Sequence, residues 1–378
     1  MAINLRSPYY TGTAIPNTAY ATLDISIWNG SLYSPVTAQY NLRKSVVGTN
    51  SSVFFEISEL IRDYLDITFD GNYIGQNVWV KTIQTTYNSS GAILATIPLT
   101  EIAFDCYEYF EEPNFSIENY PILITNRELF VLEDNVFRIP INTTTNTSVV
   151  FYKDGEVIAS ETFNFSPQSA DQVKYVSIYG DSVNWDTFQE RVLDDNGEYE
   201  SSVCLQSFFD NYSIGAVDKI TVSSNGKIET IKVNVIEECK YEPKKVTFIN
   251  RFGALQDMYF FKKSVEKMSV KKESYNANTL NYFYQYDTTN HTKRDFNITA
   301  NESISLSSGF LSEEYNEVFK QMMLSEKVWI TNITETGEQV LPINVTTSNI
   351  TYKTSLNDRL VEYTIEFDNS FNVINNIR

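Results

Sequence analysis

Apolar and polar residues alternate over much of this chain, a pattern typical of β-strands with one buried face. The clearest case is the alternation of Leu23, Ile25 and Ile27 with polar neighbours. The same reasoning predicts further strands at residues 53–57, 77–87, 122–131 and 135–141. A short helix is predicted at 58–65, with Ser58 as its N-cap. The first two thirds of the chain are therefore expected to be rich in β-structure.

Two dipeptides in the middle of the chain mark tight hairpin turns. Asp154-Gly155 lies between two apolar runs, and Asn225-Gly226 lies between residues 220–222 and the alternating residues 231–235. Asp, Asn and Gly tolerate the positive φ that two-residue hairpin turns require. Both dipeptides therefore predict β-hairpins.

The last third of the chain combines strand patterns with one amphipathic helix. Strands are predicted at 246–249, 258–261, 303–306, 327–330, 349–354 and 360–367, the last two joined by a turn at 355–358. The helix is predicted at 312–324, with Glu313 and Glu314 in its first turn, where acidic residues favour the helix dipole. Its apolar stripe follows helical spacing: Tyr315, Val318, Phe319, Met322 and Met323.

The 378 residues exceed what one hydrophobic core usually holds, so several domains are expected. The pattern predicts a mainly β protein: two β-sandwich domains of immunoglobulin or fibronectin type, followed by a β-barrel-like domain with one amphipathic helix. The predicted boundaries are 1–112, 113–243, with a loop insertion near 184–200, and 244–378. The 25 tyrosines and 24 phenylalanines agree with this, because aromatic side chains suit pleated, half-buried surfaces.

The formal charge of −19 argues against a nucleic-acid partner, because an acidic protein repels phosphate backbones. Residues 240–272 are the exception and contain nine basic residues. Such a basic zone could dock onto an acidic neighbouring subunit, or it could simply be a solvated surface. The docking interpretation predicts an interface at Arg251, Lys262, Lys263, Lys267, Lys271 and Lys272.

Candidate chemistry is sparse, so the chain is predicted not to be an enzyme and to hold no cofactor or metal. His291 is the only histidine and lies in a polar loop, which leaves no set of residues for a zinc site or a His-based triad. The three cysteines, Cys106, Cys204 and Cys239, lack paired spacing and are interpreted as small buried residues. With no export signal and no apolar run of about 20 residues, no membrane partner is expected.

Three weaker features leave alternatives open. The carboxylate pairs Glu111/Glu112 and Asp194/Asp195 could serve a hydrolase, although solvated charge is the simpler explanation. Residues 194–200 have the oxygen ligands and central glycine of a calcium loop but not the spacing of an EF-hand, so a polar turn is the alternative. The aromatic run 282–286, with Tyr282 and Tyr284, could stack on sugars or form cross-strand pairs.

Four segments carry a resemblance to a known group of proteins. They are INLRSPYY at 3–10, EISELIRDYLDITFDG at 56–71, FINRFGALQD at 248–257 and YKTSLND at 352–358. With these segments the chain resembles uncharacterised virion structural proteins of tailed phages, in particular marine contractile-tailed phages. The likeness is spread over all three predicted domains, and it carries no catalytic residues.

The resemblance implies a non-enzymatic structural subunit of the phage tail region, at the baseplate, hub or neck. Such a subunit is made in the host cytoplasm, resides in the virion and joins other virion proteins in a ring or multi-copy assembly. The basic edge near residues 262–272 would meet an acidic face of a neighbour. The alternatives are a receptor- or glycan-binding fibre, a head-decoration protein, or an acidic-site hydrolase.

Overall fold

The fold is described from a computed structural model. It describes residues 2–29, 37–47, 51–112, 115–132, 136–164, 172–179, 217–236, 240–278, 280, 283–285, 287–334, 337–351 and 360–374. Several predicted features lie outside these residues: the insertion at 184–200 with Asp194/Asp195 and its calcium alternative, Cys204, Cys239, Tyr282 and the turn at 355–358.

The chain is mainly β, as the alternating pattern predicted. It divides into two compact units. Unit 1 comprises Met1–Glu237, Thr247–Asp257 and Glu314–Ser325, and unit 2 comprises Glu238–Val246, Met258–Glu313 and Glu326–Arg378. The division into three domains, at 1–112, 113–243 and 244–378, remains a prediction from the sequence.

The first half of unit 1 is built on a five-stranded sheet. The strands of this half, in and outside that sheet, are β1 (Ala2–Asn4), β2 (Tyr10–Ala14), β3 (Tyr20–Trp28), β4 (Tyr40–Ser45), β5 (Ser52–Glu56), β6 (Val78–Tyr87) and β7 (Ile93–Phe104). The sheet order is β1-β7-β6-β3-β4, while β2 and β5 form a separate antiparallel pair. Leu23, Ile25 and Ile27 point into one core with Val53 and Phe55 of β5, as their alternation predicted.

A short helix, α1 (Ser58–Arg62), follows β5 and closes part of this core through Ile61. The predicted helix is confirmed over residues 58–62 but ends before the predicted residue 65, and its predicted N-cap is wrong. The N-cap position is Ile57, and Ser58 is the first helical residue. The Ser58 hydroxyl instead donates to the carboxylate of Glu56, so it is not free to cap the helix.

In the residues described, the second half of unit 1 has seven strands and one 3₁₀ turn (Ile117–Asn119). The strands are β8 (Glu128–Leu132), β9 (Val136–Asn142), β10 (Thr147–Lys153), β11 (Glu156–Phe163), β12 (Val173–Tyr179), β13 (Lys219–Ser224) and β14 (Lys227–Ile236). They form a sheet of order β11-β10-β13-β14-β8 and the pair β12-β9. Both hairpins are confirmed, because Asp154, Gly155, Asn225 and Gly226 all have positive φ. The strand predicted from residue 122 begins only at Glu128.

Unit 1 also contains two segments from the last third of the chain. One is the tight loop between β15 (Lys244–Ile249) and β16 (Leu255–Phe260), strands that contribute residues to both units. The other is helix α2 (Tyr315–Met323), which buries Tyr315, Val318, Phe319 and Met322. The apolar stripe is thus confirmed for these four residues. The predicted start at residue 312 is wrong, because Ser312 pairs with Leu360 in a strand.

Unit 2 is organised around a seven-stranded sheet. Its remaining strands are β17 (Val265–Asn276), β18 (Lys293–Ser307), β19 (Leu311–Ser312), β20 (Val328–Thr334), β21 (Gly337–Val345), β22 (Leu360–Val361) and β23 (Thr364–Asn369). The sheet order is β16-β15-β20-β21-β23-β18-β17. Leu306, Ile365 and Phe367 are buried on one face of it.

Two predicted closing strands are corrected in unit 2. Residues 349–351 are not a strand, and the rest of the segment predicted at 349–354 lies outside the described residues. The strand predicted at 360–367 is broken into β22 and β23. The break falls where the backbone N–H of Tyr363 donates to the Ser308 hydroxyl and its carbonyl accepts from the Ser308 N–H, which takes Tyr363 out of the sheet pairing.

Candidate assembly surface

The most exposed element of unit 2 is the hairpin of β17 and β18. Strand β17 pairs with β18 from Lys293 to Ser305, whereas β23 pairs only with Ser303–Ser307 of β18. The outer part of the hairpin therefore extends beyond the pairing with β23, although the Val373 N–H still donates to the Ala300 carbonyl at 2.9 Å. We call this part the ribbon: β17 together with residues 293–302 of β18. All twelve residues of β17 are exposed. Two-stranded ribbons are marginally stable in water without a packing partner.

The strand register separates the ribbon side chains into two faces. Successive residues of a strand point to opposite sides of the sheet, and directly paired residues point to the same side. Glu266, Met268, Val270 and Lys272 therefore share one side of β17. Val270 pairs with Ala300, which has the same parity on β18 as buried Leu306. This side continues the core-facing side of the sheet, and we call it the apolar face. Ala300 is buried, at 8% exposure, whereas Met268 and Val270 are 62% and 50% exposed, so the face is uncovered along β17.

The opposite side of the ribbon is polar over most of its length. Lys267, Ser269 and Lys271 point there, and their partners on β18 are Ser303, Asn301 and Thr299. We call this side the polar face. The contrast between the two faces is typical of a strand pair with one side meant for burial.

A β-bulge interrupts the ribbon between Lys271 and Glu273. The extra residue lies on β18, where Asn297 adopts φ +49°, a conformation that asparagine tolerates better than most residues. Beyond the bulge, the rings of Tyr275 and Phe296 meet edge to face with centroids 5.7 Å apart. Both rings remain nearly half exposed, so their contact does not bury them.

The connection at the end of the ribbon carries exposed aromatic residues. Phe283 is 74% and Tyr284 86% exposed, and Leu280 is also exposed. Tyr284 has φ +55°, which turns the chain sharply at this point. His291, in the same connection, is exposed, and its carbonyl accepts a hydrogen bond from Arg294 Nε at 3.3 Å. The backbone here therefore presents large side chains to solvent.

Five of the six predicted interface residues lie on or beside the ribbon. Lys263, Lys267, Lys271 and Lys272 are exposed, and Lys262 is half-buried with its stem beside Gly309. The Lys267 ammonium lies 3.4 Å from a Glu366 carboxylate oxygen, and Lys272 lies 2.6 Å from Asp295. Ion pairs this exposed contribute little to stability, so both lysines can exchange partners at low cost. Their role in an interface remains a prediction.

Arg251, the sixth predicted residue, lies in unit 1 and is buried. Its guanidinium lies over the rings of Tyr109 and Phe115, at 4.3 and 4.4 Å from their centroids. Its Nη1 is 2.6 Å from a Glu112 carboxylate oxygen, and its Nε donates to the Tyr107 carbonyl at 3.3 Å. Arg251 is therefore buried within unit 1, whereas the lysines belong to unit 2, and its role in an interface remains a prediction. The structure gives this residue a packing role inside unit 1.

The remaining candidate residues form no catalytic constellation among the described residues. Cys106 is buried, donates to Asn4 Oδ1 and has its pKa raised, mainly by desolvation, which keeps the thiol protonated. Within the described ranges, no three His, Cys, Asp or Glu residues are placed to hold a metal ion. Both described α-helices, α1 and α2, are too short and too polar to cross a membrane.

One hollow in unit 2 has a volume of about 420 Å³ and a largely polar lining that includes Thr347, Asn349, Glu362 and Tyr363. Among the described lining residues, Glu362 is the one carboxylate, and it accepts from the Ser307 hydroxyl at 2.7 Å. A glycosidase needs two carboxylates across a cleft, and the part of this lining that the structure describes supplies one.

Sequence reasoning found the ribbon lysines but missed the apolar residues beside them. Met268 and Val270 are 62% and 50% exposed, and Phe296 and Ile298 are also exposed. Their alternation with polar residues predicts a half-buried strand, so the sequence pattern does not identify them as surface residues. The available signal was the density of Lys and Glu on the same strand, which is typical of protected sheet edges.

Comparison with known proteins adds no relative to this description. No protein-family model matches the chain, and no curated protein sequence matches it either.

Proposed function

We propose that this chain is a non-enzymatic structural subunit of a tailed-phage virion, placed in the tail region at the baseplate, hub or neck. The observation that carries the proposal is the ribbon, a strand pair whose apolar face leaves Met268, Val270 and Ile298 exposed in the single chain. Exposed apolar patches rimmed by polar residues are typical of interaction sites. The proposal that the particle is a tailed phage rests on the resemblance of four sequence segments to virion structural proteins.

The charge distribution also favours assembly with neighbouring subunits. Residues 262–302 contain seven basic and five acidic residues, so this stretch carries +2 and the rest of the chain −21. An arm of one sign on a body of the other sign steers association and fixes orientation. In the proposed subunit, two sandwiches of immunoglobulin or fibronectin type and a barrel-like C-terminal domain form the body, and other virion proteins or further copies of the chain are the partners.

Particle incorporation tests this proposal directly. A tagged copy of the chain would be produced during phage growth, and particles purified on a density gradient would be probed by immunogold electron microscopy. We expect label at the tail region. A matched variant replaces residues 269–301 by Asn-Gly and so joins Met268 to Glu302, which are directly paired. We expect this variant to fold and to be excluded from particles. A full-length chain absent from purified particles contradicts the proposal.

A second candidate function is supported by the aromatic end of the ribbon. Exposed Phe283 and Tyr284 could stack on the faces of sugar rings, as in a receptor- or glycan-binding fibre or a head-decoration protein. Retention on immobilised host polysaccharide, lost in Tyr284→Ala and Phe283→Ala but kept in Tyr275→Ala, would favour this function. Equal behaviour of the three variants would count against it.

A further inference from the structure

We propose that two copies of this chain associate face to face through the apolar faces of their ribbons, about a two-fold axis next to Ser269. The partner is thus a second copy of the same chain. The inference goes beyond the proposed function, since it specifies a contact of the isolated protein and does not depend on a virion.

The first argument is the order of side chains along the apolar face. On β17 this order is Glu266, Met268, Val270 and Lys272, with an acid at one end and a base at the other. A two-fold axis at position 269 brings Glu266 of each copy opposite Lys272 of the other. The same axis brings Met268 opposite Val270. Two-fold contacts require such self-complementarity, because one surface must match its own reverse.

The second strand continues the same charge gradient. Glu302 pairs directly with Met268 and therefore lies near the end that holds Glu266. Lys293 and Asp295 lie near the opposite end, where Asp295 is paired with Lys272. One end of the face thus carries −2 and the other +1. Antiparallel stacking of two such faces places unlike charges together at both ends.

The third argument is the apolar area between the charged ends. Met268, Val270 and Ile298 are each about half exposed or more and lie on the side that continues into the core of unit 2. In the two-fold arrangement, the side chains of these residues cover one another. Burial of apolar surface then supplies the attraction, and the end charges set the orientation.

Edge-to-edge pairing of two β17 strands fits less well. With the same axis, it would place Lys267 directly opposite Lys271 of the other copy, and like charges directly opposite destabilise a strand pair. Lysines on an edge strand are a known protection against edge pairing. Face-to-face stacking avoids this conflict, because Lys267 and Lys271 point to the polar face.

The face is small, so the association is weak. It is two strands wide and about 20 Å long between Glu266 and Lys272. An interface of this size is smaller than most specific interfaces, so dimers should form only between about 0.1 and 1 mM protein.

Sedimentation equilibrium of the full chain over this concentration range tests the inference. We expect a monomer–dimer equilibrium, weakened about tenfold by Glu266→Lys and by Lys272→Glu, since each single reversal places like charges together. The double variant Glu266→Lys/Lys272→Glu restores the pairs in reversed order and should recover the original affinity. Lys267→Glu, on the polar face of the same strand, is the matched control and should leave the dimer unchanged.

Several outcomes overturn the inference. They are a chain that is monomeric throughout, a double variant as weak as the single variants, and a Lys267→Glu variant that dimerises more tightly than the original chain. The last result would indicate edge pairing, because the introduced carboxylate opposite Lys271 would replace a repulsive Lys267–Lys271 contact. A monomer that associates only with other particle proteins assigns the face to them and equally overturns it. Circular dichroism of each variant verifies that the fold is retained. A dimer absent from particles contradicts the proposed function alone, and an incorporated monomer contradicts this inference alone.

Discussion

Gly253 shows how one residue holds the chain in an unusual conformation inside unit 1. It has φ +72°, and a Cβ at this position would come within 2.8–3.0 Å of the backbone of Asp105. Two costs therefore combine at one site, a left-handed backbone and a steric clash with atoms that cannot rotate away. The turn depends on the absence of a side chain.

We expect Gly253→Ala to lower the free energy of unfolding by about 3 kcal/mol. Gly91→Ala is the matched control, because Gly91 has φ +83° but nothing within 4 Å of its Cβ position. It should cost only about 1 kcal/mol, the price of the backbone conformation. Urea unfolding of both variants measures the difference. Equal losses would show that the close approach to Asp105 contributes nothing.

Arg251 is a charged residue that stabilises unit 1 mainly because its planar guanidinium stacks on two aromatic rings. Removal of the guanidinium leaves the space between the Tyr109 and Phe115 rings empty, so Arg251→Ala should lose about 2–4 kcal/mol of stability. Arg251→Lys keeps the charge but not the planar stack, and should recover only part of the loss. Arg43→Ala, which removes an exposed guanidinium from the ring of Tyr20, should cost about 0.5–1 kcal/mol. Thermal unfolding compares the three, and a fully stable Arg251→Lys variant would contradict the stacking argument.

Glu101 makes the stability of unit 1 depend on pH. Desolvation raises the pKa of this buried carboxyl above its ordinary 4.5, although the Tyr9 hydroxyl, which donates to Glu101 Oε2 at 2.7 Å, partly opposes the shift. A raised folded-state pKa means that protonated Glu101 stabilises the fold below about pH 4.5 and that this stabilisation is lost as pH rises through the folded pKa.

We therefore expect Glu101→Gln to be more stable than the original chain at pH 7, with a gap that closes as the pH falls toward 4.5. Tyr9→Phe should act in the opposite direction at pH 7, because it removes the one donor to the ionised form. Urea unfolding as a function of pH measures both gaps. A gap that does not change with pH would mean that Glu101 titrates alike in the folded and unfolded chain.

At the scale of elements, local sequence patterns were sufficient to predict those strands and turns that depend on residues close in the sequence. The alternation at Leu23, Ile25 and Ile27 and the two hairpin dipeptides are confirmed because they depend on neighbouring residues. The helical stripe predicted that α2 is buried, but it cannot say against what. Its partners come from distant sequence: the Tyr109 hydroxyl donates to Glu317 at 2.5 Å, and the Phe130 N–H lies 3.4 Å from the Tyr315 hydroxyl.

The ribbon marks the limit of such patterns for the candidate surface. Its lysines could be found by counting charges, whereas the exposure of Met268 and Val270 could not, because alternation alone cannot tell a covered face from an uncovered one. Only the strand order, with β17 at the edge of the sheet, reveals that none of the described strands lies beyond it.

Hydrogen exchange should distinguish the ribbon from the rest of its sheet. Local opening costs least where few apolar contacts support the backbone, so amides of residues 267–276 should exchange at least about 100-fold faster than those of β20, an interior strand of the same sheet. Dilute samples report the monomer, and concentrated samples should slow the ribbon amides if its face is covered by a second copy. Equal protection of the ribbon and β20 in dilute samples would contradict an unsupported arm.

At the scale of the whole molecule, unit 1 is completed by chain segments that the sequence placed in a separate C-terminal domain. Groups of the first two thirds bond to the β15–β16 hairpin: Asn250 Nδ2 in its loop donates to the Leu123 carbonyl at 2.6 Å, and the Tyr73 hydroxyl donates to Asp257 of β16. Patterns within a window of ten or twenty residues cannot reveal these bonds, because their partners are more than 100 residues apart.

A chain ended after residue 243 should therefore fail to form a stable unit 1. Loss of the loop and α2 leaves buried polar groups unpaired, at about 1–3 kcal/mol each, and uncovers apolar surface, which is more than a marginally stable fold tolerates. Dye binding to exposed apolar surface and loss of cooperative thermal unfolding would reveal this. The matched control is the chain in which Asn-Gly replaces residues 269–301, since it shortens the C-terminal third without removing any residue of unit 1. Cooperative unfolding of the 1–243 fragment, as sharp as that of the control, would instead support an independent C-terminal domain from residue 244.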